Sequence, residues 1–355
     1  MEKKKRKLIK GNEAVGMAAV AAGCRYYFGY PITPQSEIPE YLARVFPKIG
    51  GVFLQAESEI ASINMLLGAG SAGERVMTSS SGPGISLMQE GISYMAGSEV
   101  PGVIVNVQRS GPGLGGISPS QGDYFQASRG GGHGDYRTPV LAPDSVQEMW
   151  DLTILAFDLA DRYRTPVVVL ADAMLGQMKE PLTERVPEFP PLPAKDWITT
   201  GAQGREPRIL KSLYLADGEL EKHCWDLHKK YLKMKEREVR FEDYQTADAE
   251  LIVVGFGSAA RISKTAVDRA RGEGKKVGLF RPITICPFPE DRIAGLADAG
   301  KSFLVVELNT GQMLDDVRMS AGRRAPIHFY GRPNGAGSLP TPDDILHEIM
   351  EAYPG

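Results

Sequence analysis

Short apolar runs alternating with helix-spaced segments constrain this chain more than any other feature. Between residues 11 and 173 the apolar runs fall at 26–30, 52–54, 76–77, 103–107, 140–142 and 167–170. Segments 13–22, 36–45, 57–67, 85–95 and 145–159, lying between them, have helical spacing. Strands this short, with no polar face, need cover on both sides, so the pattern predicts a parallel sheet layered between helices.

The length of 355 residues allows a second unit of similar kind. From about residue 249, strand-like runs at 251–255, 277–280, 303–306 and 327–330 alternate with helices, the last at 342–353. Between the units, Pro181, Pro187, Pro190, Pro191 and Pro193 exclude a helix and read as an extended connection. A helical stripe follows, with Leu220, Cys224, Leu227, Tyr231 and Met234 at spacings of 4, 3, 4 and 3. That stripe packs either on its own chain or on another subunit. The expected division is 1–180, a linker with a charged helix over 181–246, and 247–355.

Composition narrows the function classes. Lys and Arg number 41 against 44 Asp and Glu, a net charge of −3, which gives no basic field for nucleic acid. No apolar run reaches the roughly 18 residues of a membrane helix. The basic start, 1–10, has no apolar stretch behind it and does not read as a secretory signal. The expectation is a cytoplasmic protein with no membrane or nucleic-acid partner. Cys24, Cys224 and Cys286 are too few for a disulfide framework, a four-thiolate zinc site or a self-contained iron–sulfur cluster.

Four loops of the first unit fall at the carboxyl ends of predicted strands, where open parallel sheets bind ligands. In Gly29-Tyr30-Pro31-Ile32-Thr33-Pro34, two prolines hold a threonine where a helix begins. In Gln55-Ala56-Glu57-Ser58-Glu59-Ile60-Ala61, two acids two apart point to different faces, and Glu59, which leads towards Ile63 and Leu67, is the better candidate for a buried carboxyl. A buried carboxyl can hold or pass a proton. Thr78-Ser79-Ser80-Ser81-Gly82-Pro83-Gly84 is a hydroxyl-rich loop whose glycines allow close approach to a flat ligand, and it is neither a Walker A loop nor a good dinucleotide fingerprint. In the last, Arg109 precedes a glycine-rich stretch and is suited to gripping a carboxylate through two hydrogen bonds. Further on, His133 lies in Gly130-Gly131-Gly132-His133-Gly134-Asp135, where it is a possible proton shuttle with no second ligand for a metal. Together the loops suggest a small anionic substrate beside a planar cofactor.

The set YPITP, QAESEIA, TSSSGPG, NVQRSGPG and GGHGDYR, in that order, resembles the α-type subunit of 2-oxoacid:ferredoxin oxidoreductases, most of all the branched-chain (2-oxoisovalerate) member. FRPITICPFP and VVELNTGQM extend the resemblance to a transketolase C-terminal-like second unit. The resemblance implies that the first unit binds the pyrimidine end of thiamine diphosphate. Glu59 lies nine residues before Gly68 and twenty-three before Gly82, spacings similar to those of the catalytic glutamate in thiamine enzymes, so the resemblance gives Glu59 the hydrogen bond to the pyrimidine ring. It gives Thr33 and Arg109 the substrate carboxylate, and sets Ser81, Gly82 and Gly84 near the cofactor ring.

It also implies partners. The chain has no Gly-Asp-Gly motif with a following asparagine for Mg²⁺ and diphosphate, and no Cys-x-x-Cys runs for [4Fe–4S] clusters. In the family these belong to a β-type subunit and to a ferredoxin-like iron–sulfur subunit or domain. A γ-type subunit completes the complex, coenzyme A accepts the acyl group and ferredoxin the electrons. The close alternative is the 2-oxoglutarate member, whose second carboxylate needs a second cation, with Arg129 and Arg137 as candidates. A non-redox thiamine decarboxylase or carboligase half, and a non-catalytic assembly subunit, are the more distant readings.

Overall fold

The computed structural model describes residues 7–333 and 339–354. The first unit runs β1 (Lys7–Lys10), α1 (Gly11–Ala21), β2 (Tyr26–Gly29), α2 (Glu37–Val45), β3 (Val52–Gln55), α3 (Glu59–Ser71), β4 (Val76–Ser80), α4 (Pro83–Gly97) and β5 (Gly102–Gln108). It continues through α5 (Tyr124–Arg129), β6 (Val140–Leu141), α6 (Val146–Tyr163), β7 (Pro166–Asp172), α7 (Ala173–Gln177) and β8 (Lys179–Leu182). After α8 (Glu219–Arg237) come β9 (Phe241–Tyr244), β10 (Leu251–Val254), α9 (Gly257–Gly272), β11 (Val277–Pro282) and β12 (Thr284–Cys286). The described chain closes with α10 (Glu290–Asp298), β13 (Ser302–Glu307), α11 (Met313–Ala321), β14 (Ile327–Gly331) and α12 (Pro342–Ala352).

The expected α/β layering is present twice. Strands order as β12-β6-β7-β5-β4-β2-β3 in a seven-stranded sheet and as β14-β13-β10-β11-β9 in a five-stranded one. Both are parallel except for their outermost partners β12 and β9. β5 and β7 are buried along their whole length, as strands covered on both faces must be. One core packs α1 and α6 on one face of the first sheet through Ala14, Val15, Ala18, Met149 and Phe157. Another packs α3 and α4 on the opposite face through Ile63, Leu66, Met88 and Ile92.

Four strands escaped the sequence pattern. β1 and β8 form a small antiparallel pair rich in lysine and glutamate, and β9, Phe-Glu-Asp-Tyr, is an edge strand with exposed positions. β12 leaves the second unit's run of sequence to pair with β6 of the first sheet, so the two units share backbone hydrogen bonds. The proline-rich stretch is free of helix, as expected, yet it is anchored: Trp197 is buried, and Lys195 pairs with Asp161 at 2.8 Å. On α8, Met234 is buried, while Leu220 remains half exposed. The helix holds to the first unit through His223, whose ring meets the Gly97 carbonyl at 2.7 Å, and through Lys230 and Glu99. No helix among the described residues is long and apolar enough to cross a membrane.

Candidate functional site

Glu59 opens α3, and Ser58 caps the helix by accepting the Ala61 amide at 3.2 Å. The two acids of this loop separate as expected: Glu57, ahead of the cap, is exposed, and Glu59 is 4% exposed. A carboxyl at a first helical turn is favoured by the helix dipole. Ser80 at the end of β4 donates to Glu59 Oε1 at 3.2 Å. The first turn of α4 comes down on the same atom. A Cβ on Gly84 would stand 2.3 Å from Glu59 Oε1 and 2.1 Å from Ser80 Oγ, so only glycine fits.

β4 runs on past its apolar start because Thr78, Ser79, Ser80 and Ser81 are all fully buried between neighbouring strands and helices. Ser79 donates to Gln35 Oε1 at 2.5 Å, leaving the Tyr27 hydroxyl to donate to Ser79 at 2.8 Å. Ser81 Oγ is buried and has no hydrogen-bond partner among the described residues. Gly82 follows with φ +43°, and Pro83 starts α4 at the position where its missing amide costs nothing.

Arg109 follows β5 and is 8% exposed. Its Nη1 donates to the Thr33 carbonyl at 3.0 Å and its Nη2 to the Leu114 carbonyl at 3.1 Å. Its Nε has no partner, and among the described residues no carboxylate lies within ion-pair distance. A guanidinium so far out of water, with no ion-paired carboxylate, is a costly arrangement unless an anion arrives. Thr33 itself is exposed; the structure brings it to Arg109 through its backbone carbonyl.

Arg109 lines a cavity of about 590 Å³ with Gly82, Asp123, Asn309, Thr310 and Gln312. The second unit therefore walls the cavity, and a polar lattice fixes that wall. Gln121 accepts the Leu308 amide at 3.0 Å and donates to the Phe256 carbonyl at 2.7 Å, while Gln312 donates to the Gly122 carbonyl at 2.7 Å. Glu307, buried at the end of β13, accepts the Met313 and Leu314 amides at 2.8 and 2.9 Å. Burial pushes its carboxyl above the usual range, and these donors hold it back.

Glu59, Ser81, Gly82, Gly84, Arg109 and the Thr33 backbone thus converge at one sheet edge. His133 is exposed in a loop that rests on α4 through the Gly131 amide and Gln89, and it does not line the cavity. Arg129 is committed to Asp316 at 3.0 Å and lies over the Phe125 ring, and exposed Arg137 donates to the Tyr136 carbonyl. Neither lines the cavity, so Arg109 is its one cation among the described residues. Cys24 and Cys286 are free thiols pushed up to about 12 by burial, and Cys224 is also free. No group of three or more metal-ligating side chains occurs among the described residues. Asp123, Gln121 and the Asn309–Gln312 segment were not legible as site residues: the partners of Gln121, Asn309 and Gln312 lie across the molecule.

The chain is thus a two-unit α/β protein with a buried glutamate facing a hydroxyl-and-glycine loop and, beside that loop, an arginine without an ion pair. Residues 17–199 match the thiamine-diphosphate-binding domain of pyruvate flavodoxin/ferredoxin oxidoreductases, and residues 249–345 match core domain II of pyruvate:ferredoxin oxidoreductase. The ketoisovalerate oxidoreductase subunit VorB of Methanothermobacter thermautotrophicus is 53% identical, over 97% of each chain. The 2-oxoglutarate synthase subunit KorA of Methanothermobacter marburgensis is 39% identical, over 96% of this chain and 98% of that one. Among solved structures, the 2-oxoglutarate:ferredoxin oxidoreductase of Magnetococcus marinus, with 2-oxoglutarate, coenzyme A and succinyl-CoA bound, superposes with a TM-score of 0.89 at 29% identity. That match covers 99% of this chain and 66% of that one. At the level of fold alone, a split-gene transketolase matches with a TM-score of 0.60 at 13% identity, over 97% of this chain and 98% of that one. The chain belongs to the 2-oxoacid:ferredoxin oxidoreductase family and is a subunit of such an enzyme, carrying its thiamine-diphosphate-binding domain.

Proposed function

We propose that this chain holds the pyrimidine end of thiamine diphosphate and the carboxylate of a branched-chain 2-oxoacid, 2-oxoisovalerate, for oxidative decarboxylation to the acyl-coenzyme A. The observation that carries this reading is Arg109, 8% exposed and with no carboxylate within ion-pair distance among the described residues, beside the Gly82 turn whose next glycine, Gly84, abuts Glu59. The residues suit the cofactor: Glu59 offers a buried carboxyl, Gly84 leaves open the space a Cβ would fill, and Ser81 has a free buried hydroxyl. When bound, the cofactor supplies the nucleophilic carbon and the electron sink for loss of CO₂. Glu59 would exchange a proton with a pyrimidine ring nitrogen, and Ser80 would fix the carboxyl for that exchange. Arg109, already aimed by the Thr33 and Leu114 carbonyls, would give the substrate carboxylate a charge-assisted grip.

A 2-oxoglutarate tail brings a second carboxylate, and no second cation lines the cavity among the described residues. The greater identity to the ketoisovalerate subunit, 53% against 39%, points the same way.

The site is half of a whole. Tyr30, Leu54, Ile60, Leu87 and Leu114 stand exposed around the sheet edge, an apolar rim suited to a β-type subunit bringing Mg²⁺ and the diphosphate site. [4Fe–4S] clusters on a ferredoxin-like subunit, a γ-type subunit and ferredoxin as acceptor complete the assembly, working in the cytoplasm. Purifying the native complex through this chain and assaying coenzyme-A-dependent viologen reduction tests the reading. Rapid reduction with 2-oxoisovalerate is expected. Preference for 2-oxoglutarate would move the substrate, and no reduction from a loaded complex would overturn the reaction.

A further inference from the structure

The stripe of α8 and the loop after His133 have no part in the chemistry described so far, and they meet in one place. A second cavity, of about 670 Å³, lies between them, lined by Asp135, Tyr136 and Arg137 from the loop and by Leu220, Trp225 and Tyr231 from α8. Its apolar walls are open, with Trp225 58% exposed and Leu220 50%. The patch widens on the stretch before α8. There Leu213 and Leu215 are exposed on either side of Tyr214, whose ring stacks on His223 at 4.8 Å. Apolar surface gathered and left open in this way marks a place where another protein sits.

Two observations say which protein. The first is that the face is turned away from Glu59 and Arg109. α8 is held by the Gly97 carbonyl and Glu99, at the end of α4, and by the Arg164 carbonyl after α6. Helices between parallel strands end at the amino edge of the sheet, and ligands bind at the carboxyl edge. A subunit seated over Glu59 therefore leaves this face free. The second is charge. Neighbouring groups are matched at home, Lys211 to Glu219 at 3.3 Å and Lys229 to Asp226 at 3.0 Å. Asp135, Glu221 and Arg137 line the cavity and form no ion pair among the described residues; Arg137 donates only to the Tyr136 carbonyl. The patch thus carries both signs unmatched, and both a projecting tryptophan and a hollow. A surface holding both halves of a fit is complementary to itself, as a two-fold interface requires.

We propose that this patch docks a second copy of the chain, with the two α8 helices meeting about a two-fold axis. Trp225 of each copy enters the hollow of the other, and Arg137 of each meets Asp135 or Glu221 of the other. The two ligand sites then face away from each other, each open to its own partner subunit. Tryptophan and arginine dominate interface energies, so single substitutions decide the matter.

The test is native mass spectrometry of the complex purified through this chain. Expected are two copies in the wild-type complex, and a complex of half the mass with one copy for Trp225→Asp, its other subunits kept in the same ratio to this chain. Arg137→Glu should also leave one copy, and adding Asp135→Arg and Glu221→Arg to it should restore two. Only a second copy carries the exchanged charges, so restoration separates self-docking from a different partner. All four residues are exposed, so their replacement leaves the core intact. A wild-type complex with one copy, two copies kept in Trp225→Asp, loss of a different subunit, or no restoration by the exchange would each overturn the proposal.

Discussion

Two arginines are buried among the described residues, and they are treated in opposite ways. Arg281, on β11 at the seam between the units, is 3% exposed and fully matched. Its Nη1 and Nη2 reach the two oxygens of Glu148 at 2.7 and 2.8 Å, its Nε reaches Glu242 at 3.0 Å, and Asp144 stands at 3.5 Å. Arg109, nearly as buried, meets only two carbonyls and leaves its Nε bare. The first arginine joins α6 to the second sheet, and its charges are settled within the chain. The second is left unsettled at a sheet edge beside a cavity. Two residues of one type and similar burial thus have different purposes, and the counter-charges distinguish them.

That contrast can be broken or sharpened by substitution. The largest effect should come from the half-site itself: Glu59→Gln keeps the shape but not the acid, and turnover of the assembled complex should fall by about 10²–10⁴-fold, read by coenzyme-A-dependent viologen reduction. Next, Arg281→Met and Arg109→Met should diverge in denaturant unfolding. Removing Arg281 strands Glu148, Glu242 and Asp144 and should cost about 3–5 kcal/mol, whereas removing Arg109 takes away an unmatched charge and should change stability by less than about 1 kcal/mol. Equal losses would end the comparison. The smallest effect concerns Asp144. Burial, and then the Glu148 charge beside it, push its carboxyl up to about 6, against about 3.9 in an unfolded chain. Ionising it therefore burdens the folded state, fully above pH ~6 and not at all below pH ~4. Asp144→Asn should raise the melting temperature by a few degrees or less near pH 7.5 and leave it unchanged near pH 4.

Much of this was legible in the sequence because it depends on local order. Doubly apolar runs such as 103–107 and 167–170 can only be covered strands, and the burial of Glu59 goes with its place at the head of α3, on the way to Ile63, while Glu57 stays outside the helix. The glycines of Gly-Pro-Gly were read as room for a flat ligand; that Gly84 comes down on Glu59 and Ser80 of its own chain was not read. What was hidden depends on contacts between distant segments. β12 is three residues long and pairs across the units, so no periodicity could announce it. The wall from Asn309 to Gln312 is set by Gln121, nearly two hundred residues earlier. The hydrogen bond from Arg109 to the Thr33 carbonyl likewise joins segments 76 residues apart and has no local signature.

The most direct measurement is kcat/KM for 2-oxoisovalerate in the complex carrying Arg109→Met, with its melting temperature taken on the same preparation. Loss of a charge-assisted pair worth about 3 kcal/mol should lower kcat/KM by about 100-fold or more, with the melting temperature preserved. A complex that keeps its kcat/KM, or loses it only together with its fold, would contradict the assignment of Arg109 as the substrate's anchor.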